Sequence, residues 1–238
     1  MKNLLVFDGS TKNILFGGTL ENSCIFHCIN FERSKMSCRL PDFFLNLKPD
    51  IRFETLPEVI IGNGPGPFTG LKTANSFFMG FIYSLGLKKV RLVSSFKIIS
   101  ALSPAEGNLN RLVVIPFNKG EYFLGLLDKE NNLLVKDVFI KESSENIKDI
   151  FKDYLNSKIE LILGSECGAT LIEALRSHFD INSIHQEEYH FDHQRQLSLL
   201  GEELLDITKD PFILNHVINP ADIDKNCNIY VSNNFEEG

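Results

Sequence analysis

Apolar positions fall into two rhythms along this 238-residue chain, and the switches between them set out an order of elements. Residues 3–8 read as a buried strand, a turn follows Asp8 through Gly9, Ser10 and Thr11, and residues 14–20 and 23–30 read as two more strands. Leu40, Phe43, Phe44 and Leu47 then recur at i, i+3, i+4 and i+7, which predicts a helix over 40–48. A short buried strand is expected over 58–61, a glycine–proline loop after it, a long helix over 70–85 closed by Gly86, and a strand over 90–93.

The second half replays this order. Strands are expected over 111–117, 122–128 and 133–139, the last two joined by the turn at Lys129, Glu130, Asn131 and Asn132. A helix over 145–156, a strand over 159–163, a helix over 168–179, a short strand over 181–184 and a helix over 194–206 complete it. Each half therefore reads β-β-β-α-β-α-β, with a seam near Ser100–Asn110, where Pro104 and Gly107 break the pattern. A leading meander followed by alternating helices and strands implies a mixed sheet covered by helices, twice over. The expected class is α/β and two-lobed, of the actin/hexokinase/Hsp70 (ribonuclease H-like) kind, with lobes at 1–103 and 104–238.

Composition narrows this without redirecting it. With 43% hydrophobic and 23% charged residues, the chain has the makeup of a folded globular protein. A net charge of −7 gives little of the phosphate attraction that drives non-specific nucleic-acid binding. The N-terminal apolar run stops at Asp8, too early for a signal peptide, and no run reaches the length of a membrane span. Five cysteines, an odd number with no C-x-x-C pair, suit a reducing compartment, and a cytoplasmic location is expected. Twenty Phe and no Trp supply rings without polar handles, material for burial between surfaces.

The most specific string runs from Gly62 to Gly70: Gly62-Asn63-Gly64-Pro65-Gly66-Pro67-Phe68-Thr69-Gly70. It fails as a dinucleotide fingerprint, since the sixth residue from Gly62 is Pro67 and from Gly64 is Thr69. It fails as a Walker loop, because Leu71 precedes Lys72-Thr73. Pro65 and Pro67 also remove two N–H donors from any phosphate cradle. A stiff bend presenting Phe68 is the structural reading, with anion binding at the following helix N-terminus as the alternative.

In the helix after it, Leu71, Ala74, Phe77, Phe78, Phe81, Ile82 and Leu85 share an arc of about 140°, wide enough to bury against a sheet. Across the helix, Thr73, Ser76, Gly80 and Ser84 form a stripe of small residues. An interior Gly80 costs roughly 1 kcal/mol against alanine, which close approach of another backbone would explain. That backbone is either the 40–48 helix of the same chain or a partner's helix.

The run GNGPGPFTGLKTANSFFMGF resembles the G-x-GPGSFTGLR-x-G signature of the TsaB (YeaZ) family. Other segments are similar to that family in the right order: LLVFDGSTKNILFG at the start, Val93-Ser94-Ser95-Phe96, Lys119-Gly120-Glu121-Tyr122, Leu163-Gly164-Ser165, and the tail Tyr230-Val231-Ser232-Asn233-Asn234-Phe235. The resemblance implies a non-catalytic member of the two-lobed class, pairing directly with its relative TsaD through N-terminal-lobe helices. TsaE joins that complex, TsaC supplies the threonylcarbamoyl-adenylate, and the product is threonylcarbamoylated adenosine 37 of tRNA, which this subunit meets only indirectly. Metal and nucleotide are then expected on the partner subunits, and no cofactor on this one. The implied partner face comprises Leu40, Phe43, Phe44 and Leu47, with Phe68 from the bend and Thr73, Ser76, Met79, Gly80, Tyr83 and Ser84 from the long helix. Gly62, Gly64, Pro65, Gly66, Pro67, Thr69 and Gly70 form its structural loop. The sequence departs from the family's pattern at Pro67, where Ser is common, at Lys72 in place of Arg, near Lys35–Met36, where a His is absent, and at Pro116-Phe117-Asn118, where the family has Asp-Ala-Arg.

Two clusters invite chemistry of the chain's own. Asp8, Ser10 and Thr11 could contact phosphate or magnesium, yet the corresponding turn of the second lobe, Pro116-Phe117-Asn118, carries no acid. Asp8 reads better as a turn residue capping the Ser10 and Thr11 amides. His185, His190 and His193 lie near Glu187, Glu188 and Asp192, but without the i, i+4 histidine spacing of a helical metal site. A surface polar segment is the plainer reading. The alternatives to a TsaD-binding scaffold are an ATP-dependent small-molecule kinase of the same class and a glycoprotease-like homodimer using the same helix face.

Overall fold

A computed structural model describes residues 4–20, 23–30, 39–42, 58–84, 86–87, 89–104, 108–141, 147–164, 167–186, 189 and 204–206. The first sheet has the order β11-β5-β4-β1-β2-β3. It comprises β1 (Leu4–Asp8), β2 (Asn13–Leu20), β3 (Ser23–Asn30), β4 (Glu58–Gly62), β5 (Lys89–Val93) and β11 (Leu204–Asp206). The meander β1-β2-β3 is antiparallel, whereas β4 and β5 run parallel to β1. The second sheet has the order β10-β9-β6-β7-β8, from β6 (Asn110–Asn118), β7 (Glu121–Leu127), β8 (Leu133–Lys141), β9 (Lys158–Leu163) and β10 (Asp180–Gln186). It repeats the first: an antiparallel meander β6-β7-β8 with β9 and β10 parallel to β6. Two mixed sheets with covering helices are the α/β architecture expected from the element order.

Strand alternation sorts the side chains into layers. Leu5 and Phe7 of β1 face one core with Val59 and Ile61, beneath α2 (Phe68–Ser84). Leu4 and Val6 face the other way, into a core shared with Val113, Ile115 and Phe117 of β6. On the far side of the second sheet, Leu112 and Val114 meet α4 (Ile147–Ile150) and α5 (Ala169–Arg176). The middle layer is completed by α3 (Ser95–Leu102), which lies between the sheets. Period-2 alternation thus gives every central strand two buried faces, which explains why they read as nearly unbroken apolar runs.

Helix α2 begins where Leu71 N donates to Pro67 O at 2.9 Å. It ends in a glycine cap: Gly86, at φ 77°, donates to Tyr83 O at 3.0 Å, and Leu87 N donates to Ile82 O at 3.2 Å. The Phe77, Phe78 and Phe81 rings pack on the sheet side, with Phe78 stacked 4.2 Å from Phe7. A helical turn over 39–42, α1, falls at the start of the helix expected over 40–48, whose residues 43–48 lie outside the described residues.

Three expectations differ from the structure. The helix expected over 145–156 is one α-turn, α4, and a 3-10 turn at Lys152–Tyr154, stopped at Asn156, whose φ is 61°. The segment 95–102, left without an element beside the seam, is α3; seven of its eight residues are buried, so no polar stripe marks its period. Residues 204–206, expected at the end of a helix, form β11 and pair antiparallel with β5; the rest of that expected helix lies outside the described residues. The chain thus returns to the first sheet after building the second. No helix among the described residues is long and apolar enough to cross a membrane.

Candidate functional site

Four pieces of the first lobe meet at one point: the turn after β1, the loop after β4, α2 and the N-terminus of α3. The Asp8 side chain is wholly buried at their centre. Its Oδ1 accepts hydrogen bonds from Ser10 N at 2.9 Å and Ser10 Oγ at 2.5 Å. Its Oδ2 lies against Gly62, where an added Cβ would fall 1.8 Å away and 3.0 Å from Ser95 Oγ. Burial pushes the Asp8 carboxyl above its ordinary value, opposed by the hydroxyls of Ser10 and Ser95 and the Ser10 amide.

The loop closes over this turn. A Cβ on Gly66 would meet Ser10 O at 2.6 Å, and one on Gly9 would meet Ala74 Cβ of α2 at 2.5 Å. Glycine at 9, 62 and 66 is therefore a matter of crowding. Only Gly64, at φ 97°, supplies a backbone angle forbidden to its proline neighbours. Gly64 N donates to Ser95 Oγ at 3.0 Å and Ser95 N donates back to Gly64 O at 2.8 Å, while Asn75 Nδ2 donates to Gly62 O at 2.8 Å. Pro67 is buried and Pro65 half-buried, whereas Thr69, exposed, and Gly70, half-buried, belong to the first turn of α2 and not to the loop expected to contain them. The loop is a clamp that fixes where α2 starts.

Asp8 is a turn residue as expected, though its second donor is the Ser10 hydroxyl; the Thr11 hydroxyl donates instead to Asn13 O at 2.6 Å. Ser10 and Thr11 are buried with it. A phosphate or cation could reach Oδ1 or the Ser10 amide only by displacing these contacts. In the second lobe, Phe117 turns into the shared core, edge-on to Phe123 and Phe139, and exposed Asn118 donates to Glu121 Oε2 at 2.9 Å. Asp8 presents no carboxylate to solvent, and Pro116, Phe117 and Asn118 carry none.

The outer side of α2 has a different character. Ser76, Gly80 and Tyr83 are exposed, Tyr83 to 62%, with Thr73 and Met79 half-buried beside them. A Cβ on Gly80 would meet nothing within 4 Å. The backbone approach that would explain this glycine does not come from the described part of the same chain. Half-buried Phe68 lies under Lys72 Nζ, 3.9 Å from the ring centroid, a cation–π contact at the helix start. Leu40 is fully buried in the core beneath α2, so its side chain serves this chain's own packing and is not offered to a partner. Phe43, Phe44 and Leu47 lie outside the described residues, as does the side chain of Ser84.

His185 is buried on β10, its Nε2 3.1 Å from Ser183 Oγ. Glu187, Glu188, His190, Asp192 and His193 lie outside the described residues. Among the described residues no three His, Cys, Asp or Glu side chains are grouped to hold a metal ion. Sequence reasoning missed Asn75, a buried amide whose poor helix propensity inside α2 was the available signal. It also gave Ser95 no role.

No protein-family model and no curated protein matches this sequence. Among solved structures, the chain is similar to YeaZ from Pseudomonas aeruginosa, with a TM-score of 0.58 and 18% identity over 84% of this chain and 91% of that one. A second structure, described as an uncharacterized protein with similarity to peptidase YeaZ from Pseudomonas aeruginosa, gives the same values. A Bacteroides thetaiotaomicron protein with an actin-like ATPase fold and unknown function aligns at a TM-score of 0.45 and 13% identity, over 85% and 96% of the two chains. The fold of this chain is that of YeaZ.

Proposed function

We propose that this chain is a TsaB-type subunit without chemistry of its own, which binds TsaD and supports threonylcarbamoylation of adenosine 37 in tRNA. The observation that carries the reading is the outer side of α2: an exposed helix face with Gly80 open to solvent and Tyr83 standing beside it. An open glycine costs a helix stability unless a close neighbour uses the space. The signature loop clamps the start of this helix, and the YeaZ fold spans most of the chain. The buried Asp8 turn and the acid-free Pro116-Phe117-Asn118 turn speak for a scaffold over a phosphotransferase.

A reconstituted modification assay with and without this chain tests the proposal. Omission should abolish or sharply reduce product, and full activity without the chain would overturn it. Co-purification with TsaD reads the contact itself, and mass measurement with and without TsaD separates a homodimer from the pair. Titration with Mg-ATP tests the kinase alternative, which requires binding to the isolated chain.

A further inference from the structure

We infer that α3 is a fixed strut that joins the two sheets into one cooperative body, so that the sheets do not move apart and together around a ligand. The helix is fastened on both sides. Towards the first lobe, Ser95 exchanges two hydrogen bonds with Gly64, its amide donating to the carbonyl and its hydroxyl accepting from the amide. Towards the second, the Phe96 ring covers Gly125 of β7 so closely that a Cβ there would fall 2.7 Å from the ring. Asn131 Nδ2, from the β7–β8 turn, donates to Lys97 O at 3.0 Å. One turn further on, Arg111 Nη1 of β6 donates to Ser100 Oγ at 3.2 Å and Ser100 O at 3.4 Å.

These links sit inside continuous apolar packing. Val6 and Ile60 of the first sheet, Phe96 and Ile99 of α3, and Val113 and Phe123 of the second belong to one buried cluster. Opening the lobes would wet that cluster and remove Ser100 from a guanidinium that is itself buried. Hinged domains place their motion in a few loop or terminal residues and leave the facing surfaces separable. Here the facing surfaces are a core, and β11 crosses back from beyond the second sheet to pair with β5, the strand leading into α3. The inference is independent of whether TsaD is the partner.

Hydrogen exchange of the full-length chain, followed by mass spectrometry in rising sub-denaturing urea, tests it. The slowest amides of β4 and β6 should merge into a single opening reaction with one urea dependence, and separate openings would overturn the strut. Adding Mg-AMPPNP should leave both the exchange pattern and the small-angle scattering profile unchanged; compaction on nucleotide would overturn it as well. The mild double variant Ser100→Ala/Asn131→Gly should speed exchange in β4 and β6 by the same factor, whereas acceleration confined to β6 would count against the inference.

Discussion

The Asp8 carboxyl occupies the space that a Cβ of residue 62 would fill, so Asp8 and Gly62 define each other's identity across two neighbouring parallel strands. A methyl group at 62 would have to displace a buried, hydrogen-bonded acid. Gly62→Ala should therefore lower stability by about 2–3 kcal/mol, the upper part of the usual overpacking range. Urea unfolding checks it, and an unchanged midpoint would contradict the crowding argument.

The raised pKa of Asp8 fixes the sign of a pH effect. A carboxyl whose folded value lies above its unfolded value, about 3.9, contributes fully to stability below that value and loses the contribution as pH rises through the folded one. Asp8→Asn keeps an acceptor for Ser10 but cannot ionise. Relative to wild type, the variant should gain stability as pH rises from about 4 to the folded value and hold that gain above it. Denaturation midpoints at several pH values measure it; a difference independent of pH would show that Asp8 carries no such shift.

Gly80 separates folding from binding. Its open side predicts that Gly80→Ala raises stability by roughly 0.5–1 kcal/mol through helix propensity alone. Gly80→Leu should likewise leave the isolated chain folded, by circular dichroism and thermal melting, while abolishing co-purification with TsaD. Retained binding by the leucine variant would remove this face from the interface.

The Arg111–Glu160 pair, 3.3 Å apart and almost wholly buried, should behave asymmetrically. Arg111→Met strands the Glu160 carboxylate and should cost about 3–5 kcal/mol. Arg111→Met/Glu160→Met removes both charges and should recover most of that loss. A double variant no more stable than the single one would mean that packing, not the stranded charge, sets the cost.

How much of this was legible follows from what each residue type reveals alone. The central strands declare themselves through apolar runs, and α2 through a 100° period ended by Gly86. Helix α3 does not, because burial on all sides erases the polar stripe that a periodicity argument needs. The three residues of β11 are too few to carry a pattern, and only their pairing with β5 makes them a strand. The loop's bend is legible from its prolines and glycines, but the crowding at Gly62 and Gly66 is not, because it comes from Asp8 and Ser10, residues distant in sequence. The sequence holds no sign that Arg111 and Glu160 pair, because they lie on separate strands and Arg111 also reaches Ser100 of α3, a helix with no periodic signature.

The crossing of β11 also imposes an order on biosynthesis. Strand β5 can gain its β11 neighbour only after residues 204–206 have been made, later in the chain than every strand of the second sheet. Lys89 is exposed on that strand, a charge of the kind that disfavours pairing with another chain at an open edge, whereas the charge of Arg91 is met by Glu58 at 3.3 Å. The sheet that begins to form first is therefore also the one that takes in the last strand, and among the described residues it ends in β11 on one side and β3 on the other.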